Sequence, residues 1–158
     1  VKLSDKNKNL LGLTARIIAG TIFIYAGFLK ATAPSEEFAF AIEAYEAFPP
    51  FIVTIASLSM PWIEIYLGVF LIFGLFTRIS SIVMGLFFIF FELLILSAIM
   101  RGLPLADCGC FGSAHSNSAT FELFQNLVIL CFVFLAYKFG EKFSMDNWLK
   151  NKSIEKTK

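Results

Sequence analysis

Polar residues in this chain are bunched, and four long apolar runs separate the bunches, at about 10–29, 51–76, 79–100 and 121–139. A helix needs roughly 20 apolar residues to cross a bilayer's hydrocarbon layer, and each run meets that length. The exceptions inside the runs fall at helical spacing. Ser57, Pro61, Glu64 and Gly68 follow i, i+4, i+7, i+11, as do Ser81, Gly85, Phe88 and Glu92. Arg16, Gly20, Phe23 and Gly27 repeat the pattern in the first run, with Lys30 at i+14. A shared stripe of small and polar side chains is what close helix packing in lipid requires.

Composition strengthens this reading. Hydrophobic residues make up 58% of the chain and charged ones only 16%, more apolar surface than one small soluble core can bury. The expected fold is all-α, a polytopic four-transmembrane-helix bundle forming a single integral membrane domain over residues 1–158, with a polar tail at 140–158. The first run lacks an A-x-A-like exit and leads straight into the chain, so it reads as a mature span and not a cleavable signal. A net charge of +1 gives no argument for nucleic acid as a partner.

The distribution of charge predicts orientation. Lys2, Lys6, Lys8 and Arg16 precede or enter the first span, Arg78 lies in the second connection, and Lys138, Lys142, Lys150, Lys152, Lys156 and Lys158 follow the fourth. Only Lys30 and Arg101 fall on the other side. The positive-inside rule puts both termini in the cytoplasm, and hence the chain in the inner (cytoplasmic) membrane with its first and third loops outside. The outer first loop, from Lys30 to Pro50, predicts a short amphipathic helix on the membrane surface with Phe38, Ile42 and Tyr45 as its apolar stripe. Thr77-Arg78 reads as a very short second connection, so spans two and three form a tight antiparallel hairpin. Pro61 is expected to kink span two. Asn117 or Ser118 is the expected N-cap of span four, and Trp148 an interfacial anchor.

Glu64 and Glu92 lie deep in their spans. Each is 13 residues from the second connection, roughly 20 Å in a helix. In a tight hairpin they would be near neighbours, with Arg16 and Lys30 pointing into the same bundle. An ionisable residue at such depth faces the bundle interior, as a proton relay or buried polar network, or as glue between helices.

The third loop carries Asp107-Cys108-Gly109-Cys110-Phe111-Gly112. Cysteines at i and i+2 come close enough for a disulfide, and the glycine supplies the unusual backbone angles. Such a bridge closes almost no loop and so adds little stability, whereas a strained disulfide exchanges readily. Cys108 and Cys110 are therefore the candidate catalytic pair, in a compartment where disulfides persist. His115 and Arg101 are candidates for tuning a thiol. The alternatives are free thiols or a soft-metal clamp of Cys108, Cys110 and His115. Cys131 is out of phase with Glu122 and Asn126 on span four. If those two face the bundle, Cys131 faces elsewhere.

The cysteine motif resembles that of MauE-like proteins within the wider DoxX group of small four-helix membrane proteins. The resemblance extends to Arg16 with Gly20, to Gly27-Phe28-Leu29-Lys30, and to Pro61-Trp62-Ile63-Glu64 with Gly68, Gly74, Thr77 and Arg78. It covers about Thr14 to Tyr137. It implies a redox-associated membrane protein: MauE-like members are linked to maturing disulfide-rich exported proteins, and some DoxX members to quinone-coupled oxidation of sulfur compounds.

Together these readings predict a membrane thiol–disulfide oxidoreductase exchanging with an exported thioredoxin-like or disulfide-rich partner. A quinone would sit near Phe88, Phe111, Tyr25 and Trp62, with Glu64 or Glu92 handling protons. Two rivals stand beside it: a protein binding or transporting a soft metal or metalloid such as copper, mercury or arsenic, and a non-catalytic scaffold subunit of a redox complex.

Overall fold

The computed structural model describes residues 5–103, 119–141, 144–147 and 152. They form five helices: α1 (Asp5–Thr32), α2 (Ser35–Glu43), α3 (Pro50–Phe73), α4 (Thr77–Arg101) and α5 (Ala119–Phe139). No strand occurs among the described residues. The four long helices are each long and apolar enough to cross a membrane. The chain is a multi-pass, all-helical membrane protein.

The expected spans match these helices to within a few residues, except at the second connection. Thr77 and Arg78 are not the connection but the first turn of α4. Gly74 ends α3 in the left-handed region (φ 72°), and the amides of Gly74 and Leu75 both donate to the Phe70 carbonyl. Phe76 is left-handed as well. The turn is thus Gly74–Phe76, a Schellman-type stop followed at once by a new helix. α3 begins on Pro50, where a missing amide is harmless, and continues as one helix through Pro61.

The order of packing differs from that of a hairpin. α1 lies between α3 and α5 and packs closely on both, α4 packs on α5, and α3 and α4 touch only lightly. The α1–α3 seam explains this arrangement. A Cβ added at Gly20 would stand 2.8 Å from the Gly68 carbonyl oxygen, one at Gly68 2.7 Å from that of Gly20, and one at Gly27 2.7 Å from that of Pro61. These glycines let two backbones meet. α4 offers no such seam: a Cβ on Gly85 meets nothing nearer than Val133, at 3.9 Å. The core is completed by Phe23 against Phe88, with Leu71, Met84, Ile129 and Val133 around them.

The same seam sets the register. With Gly27 opposite Pro61, α1 ends at Thr32 roughly 9 Å short of the start of α3. Helix α2 occupies that step. Phe38 and Ile42 pack on Val53, Ala56 and Met60, and Tyr45, just past the end of α2, is buried on α4 against Ile95 and Ala98. The expected stripe exists, and it is turned into the bundle.

At the turn end of the bundle, residues 144–147 lie back over the α3–α4 turn. Asp146 accepts hydrogen bonds from the amides of Phe76 (3.0 Å) and Thr77 (2.9 Å), and its own amide donates to Gly74. A residue beyond the last span therefore caps α4.

Candidate functional site

The site begins with one lysine. Lys30 is in the last turn of α1, and because α1 stops short, its side chain is enclosed by other helices and not by solvent. Its Nζ donates to both carboxylate oxygens of Glu64, at 2.6 and 2.8 Å, and the two side chains are only 3% and 6% exposed. The Phe38 ring of α2 lies 5.2 Å from the ammonium, in cation–π range. Glu64 is about 21 Å from the start of α3 and about 14 Å from its end, so the pair lies mid-span.

A cavity of about 30 Å³ adjoins the pair, lined also by Phe23, Ala26, Phe88, Phe91 and Asn126. It has room for a water and offers polar partners on α1, α3 and α5. Asn126 is fully buried on α5, and Glu122, one turn nearer the end where α4 gives way to α5, is buried above it on the same face. A run of polar groups therefore descends from the start of α5 to the ion pair. The arrangement holds an exchangeable proton on an ammonium, hydrogen-bonded to a carboxylate, beside a space that water can enter.

Two of the four charged residues expected in one network are placed elsewhere. Glu92 does not pair with Glu64, because α1 and not α4 lines the polar face of α3. Its Oε1 is buried without a hydrogen-bond partner among the described residues. Arg16 is about 21 Å from Lys30 along α1, at the turn end. It donates to the Gly140 carbonyl just past α5 (2.9 Å) and to the Ile72 carbonyl near the end of α3 (3.2 Å), joining two helix C-termini. Arg101, expected near a thiol, donates from Nη2 to the Tyr45 carbonyl at 2.6 Å.

Three of the four aromatics expected near a quinone are among the described residues. Phe88 is in the core, whereas Tyr25 and Trp62 are more than half exposed on outward faces. Phe111 lies outside the described residues, as do Cys108, Cys110, His115, Asn117, Ser118 and Trp148. Cys131 is exposed on the face of α5 away from the buried Glu122 and Asn126, as their phase requires.

Sequence reasoning missed Asn126, Phe38 and Asp146 as parts of these networks. Asn126 carried a signal, being polar four residues after Glu122 in an apolar run. Asp146 carried none, since its partners are about 70 residues away, and Phe38 read only as part of an apolar stripe, not as a ring facing the nearby Lys30.

No curated protein and no solved structure matches the chain. The family model described as methylamine utilisation protein MauE matches residues 8–139, from the beginning of α1 to the last residue of α5. Lys30 and Glu64 both lie within that match, and the chain belongs to the MauE family.

Proposed function

We propose that this MauE-family protein is a membrane thiol–disulfide oxidoreductase whose Cys108–Cys110 pair exchanges with an exported thioredoxin-like or disulfide-rich client. The observation that supports it most is the buried polar run from Glu122 through Asn126 to Lys30–Glu64, because a dithiol cannot become a disulfide without giving up two protons. That run starts in the first turn of α5, into which the cysteine-bearing connection leads. The balance of charge supports an orientation with both termini in the cytoplasm and the cysteines outside, where disulfides persist.

In the oxidising direction, a client thiolate attacks one sulfur of the Cys108–Cys110 disulfide, breaking that bond and forming a mixed disulfide. The client's second thiolate then displaces the bound cysteine. The client leaves with a new S–S bond and the pair is left as two thiols. Reoxidation of the pair releases two electrons and two protons, the protons passing toward Glu122, Asn126 and the ion pair. The sequence contains three cysteines, and the third is exposed on the other face of α5, so no second dithiol in this chain takes the electrons. As acceptor we propose a quinone, which takes up two electrons and two protons when bound.

The test is a redox titration of the purified protein in nanodiscs against graded glutathione, with alkylated thiols counted by mass. A reversible two-electron transition of Cys108 and Cys110, together with reduction of a soluble quinone analogue by a dithiol donor, is the expected result. Two thiols alkylated at every potential, or blocked by stoichiometric bound metal, would overturn the proposal in favour of scaffolding or metal handling.

A further inference from the structure

α3 and α4 share a tight turn at one end and touch only lightly, and side chains do not fill all the space between them. A cavity of about 230 Å³ lies there, walled by Phe38 and Ile42 of α2, Met60 of α3, Phe91 and Leu94 of α4, and Phe48. It is larger than the roughly 150 Å³ apolar cavities that stay dry and take up a benzene ring. Its walls are almost wholly carbon. Water has no partners there, and an empty space of this size forfeits dispersion contacts on every side.

Toward the end where α4 stops, residues 44–49 form a strap across the cavity. Its Tyr45 is buried with its carbonyl held by Arg101, its Phe48 ring lies 6.1 Å from that of Phe90, and Glu46 turns the chain in a left-handed conformation. On the remaining side α3 and α4 touch only lightly. Leu94 and Phe90 are about 10 and 16 Å below Arg101 along α4, the depth of lipid chains and not of headgroups. Arg101 is itself exposed, and the Tyr45 whose carbonyl it holds lines the cavity.

We propose that this cavity binds one acyl chain of an anionic phospholipid, entering sideways between α3 and α4, with the phosphate of its headgroup beside Arg101. The proposal is independent of the thiol chemistry. It assigns Arg101 to the strap and a lipid headgroup, and it makes the α3–α4 gap a bound-lipid site and not a packing defect.

Native mass spectrometry of the detergent-purified protein tests it. The wild type is expected to retain one phospholipid per chain, and Ala56→Phe, which fills the cavity from α3, to retain at least tenfold less. Arg101→Gln is expected to keep a lipid but lose the preference for anionic over zwitterionic headgroups. A second filling variant, Leu94→Phe, covers the case in which Ala56→Phe does not fold. Independently of any variant, wild-type protein in nanodiscs with chain-labelled phosphatidylglycerol should show an immobilised spin population near one per protein. No retained lipid, retention unchanged by filling, or a wholly mobile spin spectrum would overturn the proposal. So would recovery of a non-acyl hydrophobe such as a prenylated quinone in place of phospholipid.

Discussion

Replacing Lys30 with methionine keeps most of the side-chain volume and removes the ammonium from a carboxylate 2.6 Å away. Both partners are almost wholly enclosed, so Glu64 loses the ion pair it makes among the described residues, with space beside it for about one water. Breaking one side of such a buried pair costs about 3–5 kcal/mol, whereas exchanging both partners for well-packed apolar residues is often neutral or favourable. For a chain of this size about 1 kcal/mol moves the melting temperature by about 2–4 °C, so Lys30→Met is expected to lower it by roughly 6–20 °C. The double variant Lys30→Met/Glu64→Leu should recover most of that loss. An internal comparison is available in Arg78 and Glu141, an ion pair of similar length whose side chains are 64% and 50% exposed. Exposed pairs contribute about 0–1 kcal/mol, so Arg78→Gln should shift the same transition by no more than about 4 °C. Thermal unfolding in one detergent, followed by near-ultraviolet circular dichroism, measures all four proteins. A Lys30→Met shift no larger than that of Arg78→Gln, or a double variant no better than the single, would refute the idea of a desolvated pair.

Other changes probe the rest of the frame. Gly27→Ala places a methyl 2.7 Å from the Pro61 carbonyl oxygen and 3.0 Å from the Glu64 Cβ. It should destabilise the bundle by about 1–3 kcal/mol and loosen the ion pair, read as a lower melting temperature and faster amide exchange in α1 and α3. Asp146→Ala removes two amide acceptors at the start of α4 and should cost about 1 kcal/mol; Asp146→Asn, which keeps one acceptor, should cost less in the same denaturation assay. Cys131→Ser should leave the redox titration of the other two cysteines unchanged, since Cys131 is on the outward face of α5. In a detergent-solubilised sample, Cys131 should react with maleimide at a rate near that of an exposed thiol.

Much of the bundle was legible because burial in lipid leaves a simple trace. The spacing Ser57, Pro61, Glu64, Gly68 marks the buried stripe of α3, and Arg16 to Lys30 marks that of α1. The phase of Glu122 and Asn126 against Cys131 gave the inner face of α5. Which helices meet was less legible. A short connection between spans two and three suggests that they pack together, and on that basis Glu64 and Glu92 look like partners. The glycine surfaces decide otherwise: Gly20 and Gly27 fit Gly68 and the backbone at Pro61, whereas a Cβ on Gly85 of α4 meets nothing nearer than Val133. The complementarity of two stripes 40 residues apart is a three-dimensional property, and one chain read in order does not display it. Asp146 was illegible for the same reason, acting on amides that only the fold brings near.

The cap supplied by Asp146 has a consequence for the order in which the protein is made. The start of α4 leaves the ribosome some 70 residues before the carboxylate that accepts its first amides. Until α5 has been inserted and the chain has doubled back, the α3–α4 turn exists without that support, and Arg16 without the Gly140 carbonyl. One end of the bundle is thus closed last, by its most recently synthesised part, and nascent chains released before residue 146 should be the ones that membrane proteases remove.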